Sequence, residues 1–161
     1  AVYSSDLSRA RETAEIIVAG NDRGPYDVRE DPLLREVSFG EFEGMTWTDI
    51  QNADAELRVR QLAHDLDYQP SGGESYRQLL ERLGGFADLL RTVHADHDVL
   101  VVGHGAALRA LAVRLLDLPA ETYWVFQGLA SGSVSIVRRR HGRATLVTWN
   151  DTGHFPSRSD R

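Results

Sequence analysis

Three side chains in this 161-residue sequence have the chemistry to act on a phosphoryl group: Arg9, Glu36 and His104. Arginine presents a planar, permanently charged fork that matches phosphate oxygens. Histidine donates to such an oxygen or attacks as a nucleophile. A carboxylic acid beside a leaving oxygen delivers its proton. Together the three would suit phosphoryl transfer without a metal, by charge stabilisation and proton delivery. Singly, each has a plainer role. Arg9 is then a surface residue of a helix, Glu36 one of three loop glutamates with Glu41 and Glu43, and His104 a turn histidine between two glycines.

The elements that must position them are legible in the hydrophobic pattern. In Asp98–Arg109, DVLVVGHGAALR, four apolar residues run from Val99 to Val102. This pattern predicts a strand buried on both faces, as in a parallel sheet. Leu108, Leu111, Ala112 and Leu115 then take up helical spacing. His104 therefore falls where a strand ends and a helix begins, the place where open α/β sheets gather ligands. Free N–H groups of that helix would favour an anion, and Gly103 and Gly105 let backbone approach it. Arg9 falls in the first turn of an earlier helix. That helix follows a strand ending at Tyr3, has Ser5 or Asp6 as cap, carries an apolar face of Leu7, Ala10, Ala14, Ile17 and Val18, and stops at Gly20.

Between these points, Tyr26–Arg29 reads as a short strand and Asp31–Gly44 as an ordered loop carrying Glu36. One or two helices are expected in Met45–Asp65, capped by Thr46 or Thr48. The Pro/Gly cluster Tyr68–Ser75 breaks the chain. A long helix then runs from Glu74 or Ser75 to about Val93, burying Leu79, Leu80, Leu83, Phe86, Leu89 and Leu90, with Gly84–Gly85 permitting close packing. After Leu118–Pro119 a short helix spans Ala120–Gln127. Strands at Ser133–Arg138 and Ala144–Trp149 form a hairpin turning at His141–Gly142. The tail from Pro156 is expected to be loose. The alternation predicts one domain over residues 1–161, a three-layer α/β sandwich with a mostly parallel central sheet and helices on both faces.

Composition narrows the class. A net charge of −6 and pI near 5.5 argue against a nucleic-acid surface. No stretch has the length of an apolar membrane span. Cysteine is absent, which removes disulfide and thiolate chemistry and fits a reducing, cytoplasmic setting. No metal-ligand cluster and no cofactor motif is visible, so neither is expected. The Leu79–Leu90 and Leu108–Leu115 faces read as core, and either would equally serve a homodimer. Trp47, Trp124 and Trp149 are candidates for a pocket mouth or for core packing. Glu74 and Ser75 are candidates for substrate contact or helix capping.

Four motifs in order, SSDLSRARETA, LREVSFGEFEG, PSGGES and VVGHGAALR, closely resemble the histidine phosphatase superfamily, of phosphoglycerate mutase-like fold. The resemblance covers Val2 to about His154. It implies that Arg9 binds phosphate, that Glu36 protonates the leaving group, and that His104, with Gly105, holds the phosphoryl group rather than attacking it. His154 is implied to be structural. The family's nucleophile is a histidine in an arginine–histidine–glycine motif after the first strand, and this sequence has no such motif. His64, His94, His97 and His141 sit in helix or loop contexts and are expected to be solvated. A strand, the nucleophile loop with its arginine, and a helix are therefore expected upstream of Ala1; without them no turnover is expected. Glu36 and His104 are only 68 positions apart, and the segment between them contains PSGGES; the stretch LASGSVSI…TLVTWNDTGHF follows later. Both resemble the small phosphatases, including the α-ribazole and broad-specificity branches. The expected activity is therefore hydrolysis of a small phosphorylated metabolite through a phosphohistidine. A cofactor-dependent phosphoglycerate mutase, or an inactive member that binds a phosphorylated ligand or a protein, stands as the alternative.

Overall fold

The computed structural model describes residues 1–53, 59 and 63–156. Three short parallel strands form its sheet. β1 (Val2–Ser4) lies between β2 (Val28–Glu30) and β3 (Leu100–Val102), with Tyr3 opposite both Arg29 and Val101. All three residues of β1 are buried, as a central strand requires. β3 is not buried on both faces as its unbroken apolar run predicts. Leu100 is exposed and Val101 and Val102 are half-buried, because one edge of β3 pairs with no described strand.

Helix α1 (Ser8–Ala19) packs against the strands and buries only Ala10 and Ala14. Ile17, expected on its apolar face, is exposed. Neither Ser5 nor Asp6 caps it. The N-cap position is Leu7, without a side-chain bond, because Ser5 and Asp6 are engaged elsewhere. Gly20 ends the helix as expected. After β2, the Glu36 loop contains two single 3₁₀ turns, Pro32–Leu34 and Gly40–Phe42. Helix α2 (Trp47–Ala53) is opened by Thr46, whose Oγ1 accepts the Asp49 N–H at 3.2 Å while Asp49 Oδ2 accepts the Thr46 N–H at 3.3 Å. The rest of the helical expectation up to Asp65 falls largely outside the described residues, as do the Trp47 side chain and the tail beyond Pro156.

The core is built by α3 (Tyr76–Val93) and α4 (Gly105–Leu115), which pack on each other. Ser75 and Gln78 cap α3 reciprocally, a full capping box. Leu79, Leu80, Leu83 and Phe86 are buried on its inner face, while Leu89 and Leu90 pack at the margin. Tyr3 meets Phe86 edge-on at 5.4 Å, joining sheet to helix. A Cβ at Gly84 would stand 3.1 Å from the Arg114 guanidinium, so this glycine does permit close approach of α4, whereas Gly85 faces open space. The buried face of α4 is Ala107, Ala110, Leu111, Ala112 and Val113. Leu108 and Leu115 are only partly covered. A 3₁₀ segment, Ala120–Val125, replaces the expected helix.

The hairpin forms as predicted. β4 (Val134–Arg140) pairs antiparallel with β5 (Arg143–Asp151), and His141 and Gly142 both take positive φ in the two-residue turn. Arg139 and Arg91 converge on Asp117, tying the hairpin to the ends of α3 and α4. His154 is exposed, its ring 4.4 Å from Phe155. Among the described residues no helix is long and apolar enough to cross a membrane.

Candidate active site

Each of the three strands ends at one of the three chemical residues. Glu36 follows β2, Arg9 follows β1 and His104 follows β3. In a parallel sheet these C-terminal ends share one edge, so residues 95 apart in sequence come into contact. Arg9 Nε–H donates to His104 Nδ1 at 3.2 Å. That bond fixes the tautomer, because Nδ1 is then the acceptor and Nε2 carries the proton. Nε2–H donates to the Ser5 hydroxyl at 2.9 Å, and Ser5 is fully buried. Burial foremost, and the Arg9 charge second, hold the His104 pKa below the ordinary histidine value, so the ring is neutral near pH 7.

His104 stands at the N-cap of α4, yet its side chain makes no capping bond. Glu36 does that work from 70 residues away. Its Oε2 accepts the Ala106 N–H at 3.2 Å and its Oε1 accepts the Ala107 N–H at 3.0 Å and its neighbour Val37 N–H at 3.0 Å. The anion expected at this helix start is thus the protein's own carboxylate. Gly105, just before those donors, is exposed.

The Glu36 loop is anchored on both sides. Leu34 and Val37 are buried in the core, so the residue between Arg35 and Val37 is directed to the site. Arg82 of α3 donates through Nη1 to the carbonyls of Leu33 at 2.6 Å and Arg35 at 3.0 Å. Its remaining donors pair with both oxygens of Glu74 at 2.8 and 2.6 Å. The Glu74 N–H in turn donates to the Ser38 carbonyl at 2.8 Å. Gly73 is needed for that approach, since a Cβ there would lie 2.8 Å from the Ser38 oxygen. The PSGGES stretch is therefore the backbone partner of the Glu36 loop as well as a breaker. Glu74 is the counter-ion of Arg82 and Ser75 a helix cap. The pattern of sequence carried no signal for Arg82, a charged residue among others on a long helix.

Arg35, next to Glu36, turns the other way and forks onto Asp6, which holds the Asp6 carboxyl below its usual range. His94, expected to be solvated, bonds the Tyr3 hydroxyl at 2.9 Å, and His64 stacks on Trp124 at 5.2 Å. Trp149 packs on Phe126 and donates to the Gln127 carbonyl. Beside Glu36 opens a cleft of about 600 Å³ whose walls include Phe39, Tyr76, Tyr123, Trp124 and Arg109.

The family model described as histidine phosphatase superfamily, branch 1, matches residues 1–152. The chain is 32% identical over 98% of its length to a metal-independent phosphoserine phosphatase of Arabidopsis thaliana, and spans 63% of that protein. It is 30% identical over 92% of its length to an adenosylcobalamin/α-ribazole phosphatase of Salmonella typhimurium, and spans 72% of it. Among solved structures, a mycobacterial glucosyl-3-phosphoglycerate phosphatase in complex with inorganic phosphate superposes with a TM-score of 0.81 at 27% identity, covering 96% of this chain and 78% of that one.

Proposed function

Because the chain belongs to the histidine phosphatase superfamily, we propose that it carries most of the site of a phosphomonoesterase working through a phosphohistidine. The observation that supports this best is the meeting of Arg9, His104 and Glu36 at one edge of a parallel sheet. Arg9, the Gly105 backbone and His104, whose Nε2–H exchanges the Ser5 hydroxyl for a phosphoryl oxygen, hold the phosphoryl group. An imidazole nitrogen attacks phosphorus, a P–N bond forms and the ester P–O bond breaks. Glu36 gives a proton to the departing alkoxide. It then accepts a proton from the water that attacks the phosphoenzyme, releasing inorganic phosphate and the free histidine.

His104 is not the nucleophile in this reading, since Arg9 occupies the Nδ1 lone pair and Nε2 carries the proton. The attacking histidine is assigned to a segment upstream of Ala1. The edge of β3 that pairs with no described strand, beside His104, would seat the strand that delivers it. The test is phosphate release by full-length protein from a panel of small phosphomonoesters in the presence of a chelator, with trapping of an acid-labile phosphoenzyme. Release and a trapped phosphohistidine are expected. No release from any ester overturns the reading in favour of a binding protein, and isomerisation of phosphoglycerates with little release overturns it in favour of a mutase.

A further inference from the structure

The cleft beside Glu36 is walled by apolar and aromatic side chains, and Arg109 is its one lining cation among the described residues. Among the described residues Arg109 makes no ion pair. It lies over the Tyr123 ring, 4.8 Å from the centroid. Burial pushes the Tyr76 and Tyr123 phenols up, so neither supplies a countercharge. Arg109 Nε and Trp124 Nε1 are buried donors without acceptors among the described residues, a state that native sites ordinarily relieve with water or ligand. Gly128 keeps the guanidinium its room, since a Cβ there would stand 3.0 Å from Nη2. Arg109 sits one turn of α4 beyond Gly105, ~6 Å along the axis.

We propose that this cleft is the leaving-group subsite and that it takes an ester whose planar or apolar body carries a carboxylate, read by Arg109. The assignment rests on the phosphatase reading for the position of the phosphoryl group. One positive charge balances one carboxylate. A second phosphate dianion would leave excess negative charge in an apolar cleft.

The test is calorimetric binding of phenylphosphonate, 4-carboxyphenylphosphonate and 1,4-phenylenebisphosphonate to full-length protein, alongside hydrolysis of the corresponding phosphate esters. The wild type is expected to bind the carboxylated ligand about tenfold to a hundredfold more tightly than the plain one, the range of a charged hydrogen bond. Arg109→Met is expected to narrow that gap to within about threefold and Arg109→Lys to keep part of it. If Arg109→Met fails to fold, the wild-type preference and its partial retention in Arg109→Lys decide. Equal wild-type affinity for the first two ligands, or a gap that survives in Arg109→Met, overturns the proposal. Tightest binding of the bisphosphonate overturns the carboxylate. A carboxylate preference with no turnover of any ester sinks the hydrolase reading and leaves the subsite standing; turnover without the preference does the reverse.

Discussion

The contact between Arg9 Nε and His104 Nδ1 determines what each residue can do. A guanidinium cannot give up its proton, so His104 is held with Nδ1 bare and Nε2 protonated. A neutral imidazole with Nδ1 held by Arg9 and Nε2 protonated has no lone pair free to attack. Glu36 has the opposite character, a carboxylate held by two N–H groups at a helix start and by the Val37 N–H, and open on one side to the cleft. Glu36→Gln is expected to lower kcat on alkyl phosphates by about 10²–10⁴, the usual worth of general acid–base catalysis, with little change in KM. On 4-nitrophenyl phosphate, whose leaving group needs no proton, the loss is expected to be smaller. Equal losses on both esters would remove Glu36 from the proton-transfer role.

At the scale of elements, the site depends on a clamp. Arg82 links α3 to the backbone on the N-terminal side of Glu36, and Glu74 links the start of α3 to the backbone beyond it. With Arg82 and Glu74 about four-fifths buried, their paired hydrogen bonds are shielded enough to matter. Arg82→Met is expected to destabilise the protein by about 1–3 kcal/mol and to lower kcat more than it raises KM. Placed on top of Glu36→Gln, it is expected to add little further loss of kcat, because both act through one group. Full additivity in that cycle would make Arg82 merely structural. Ser75→Ala removes one half of the α3 capping box and is expected to cost about 1 kcal/mol in urea unfolding, without altering the shape of the pH–rate profile.

Over the whole molecule, two histidines bind protons less readily folded than unfolded: His104, through burial and Arg9, and His94, through desolvation and the nearby N-terminus. Both have lowered folded pKa values, so below about 6.5 the unfolded chain takes up protons that the folded one refuses. Their stabilising share is full above that pH and is lost as pH falls toward the folded values. Urea midpoints are expected to drop between pH 8 and pH 5.5, and to drop less in His104→Asn. A midpoint unchanged across that range would contradict the buried, neutral state of His104. Asp6, lowered by Arg35, adds its own loss only at more acid pH, starting near 4.

The sequence by itself determined the order of elements and the candidate residues. The 3.6 and 2.0 periods, the Ser75 cap and the His141–Gly142 turn act between near neighbours, so local pattern was enough to read α3, α4 and the hairpin. The residues Arg9, Glu36 and His104 were legible as types at suggestive positions and in motifs resembling a known family. Their meeting was decided by strand order. Only the placement of β1 between β2 and β3 brings three chain segments to one edge. The partial exposure of β3, the capture of the α4 start by Glu36, and the Arg82–Glu74 clamp depend on contacts eight to 71 residues apart. Such contacts form when the fold closes, because a carboxylate finds backbone donors across space and no local period records which ones it will find.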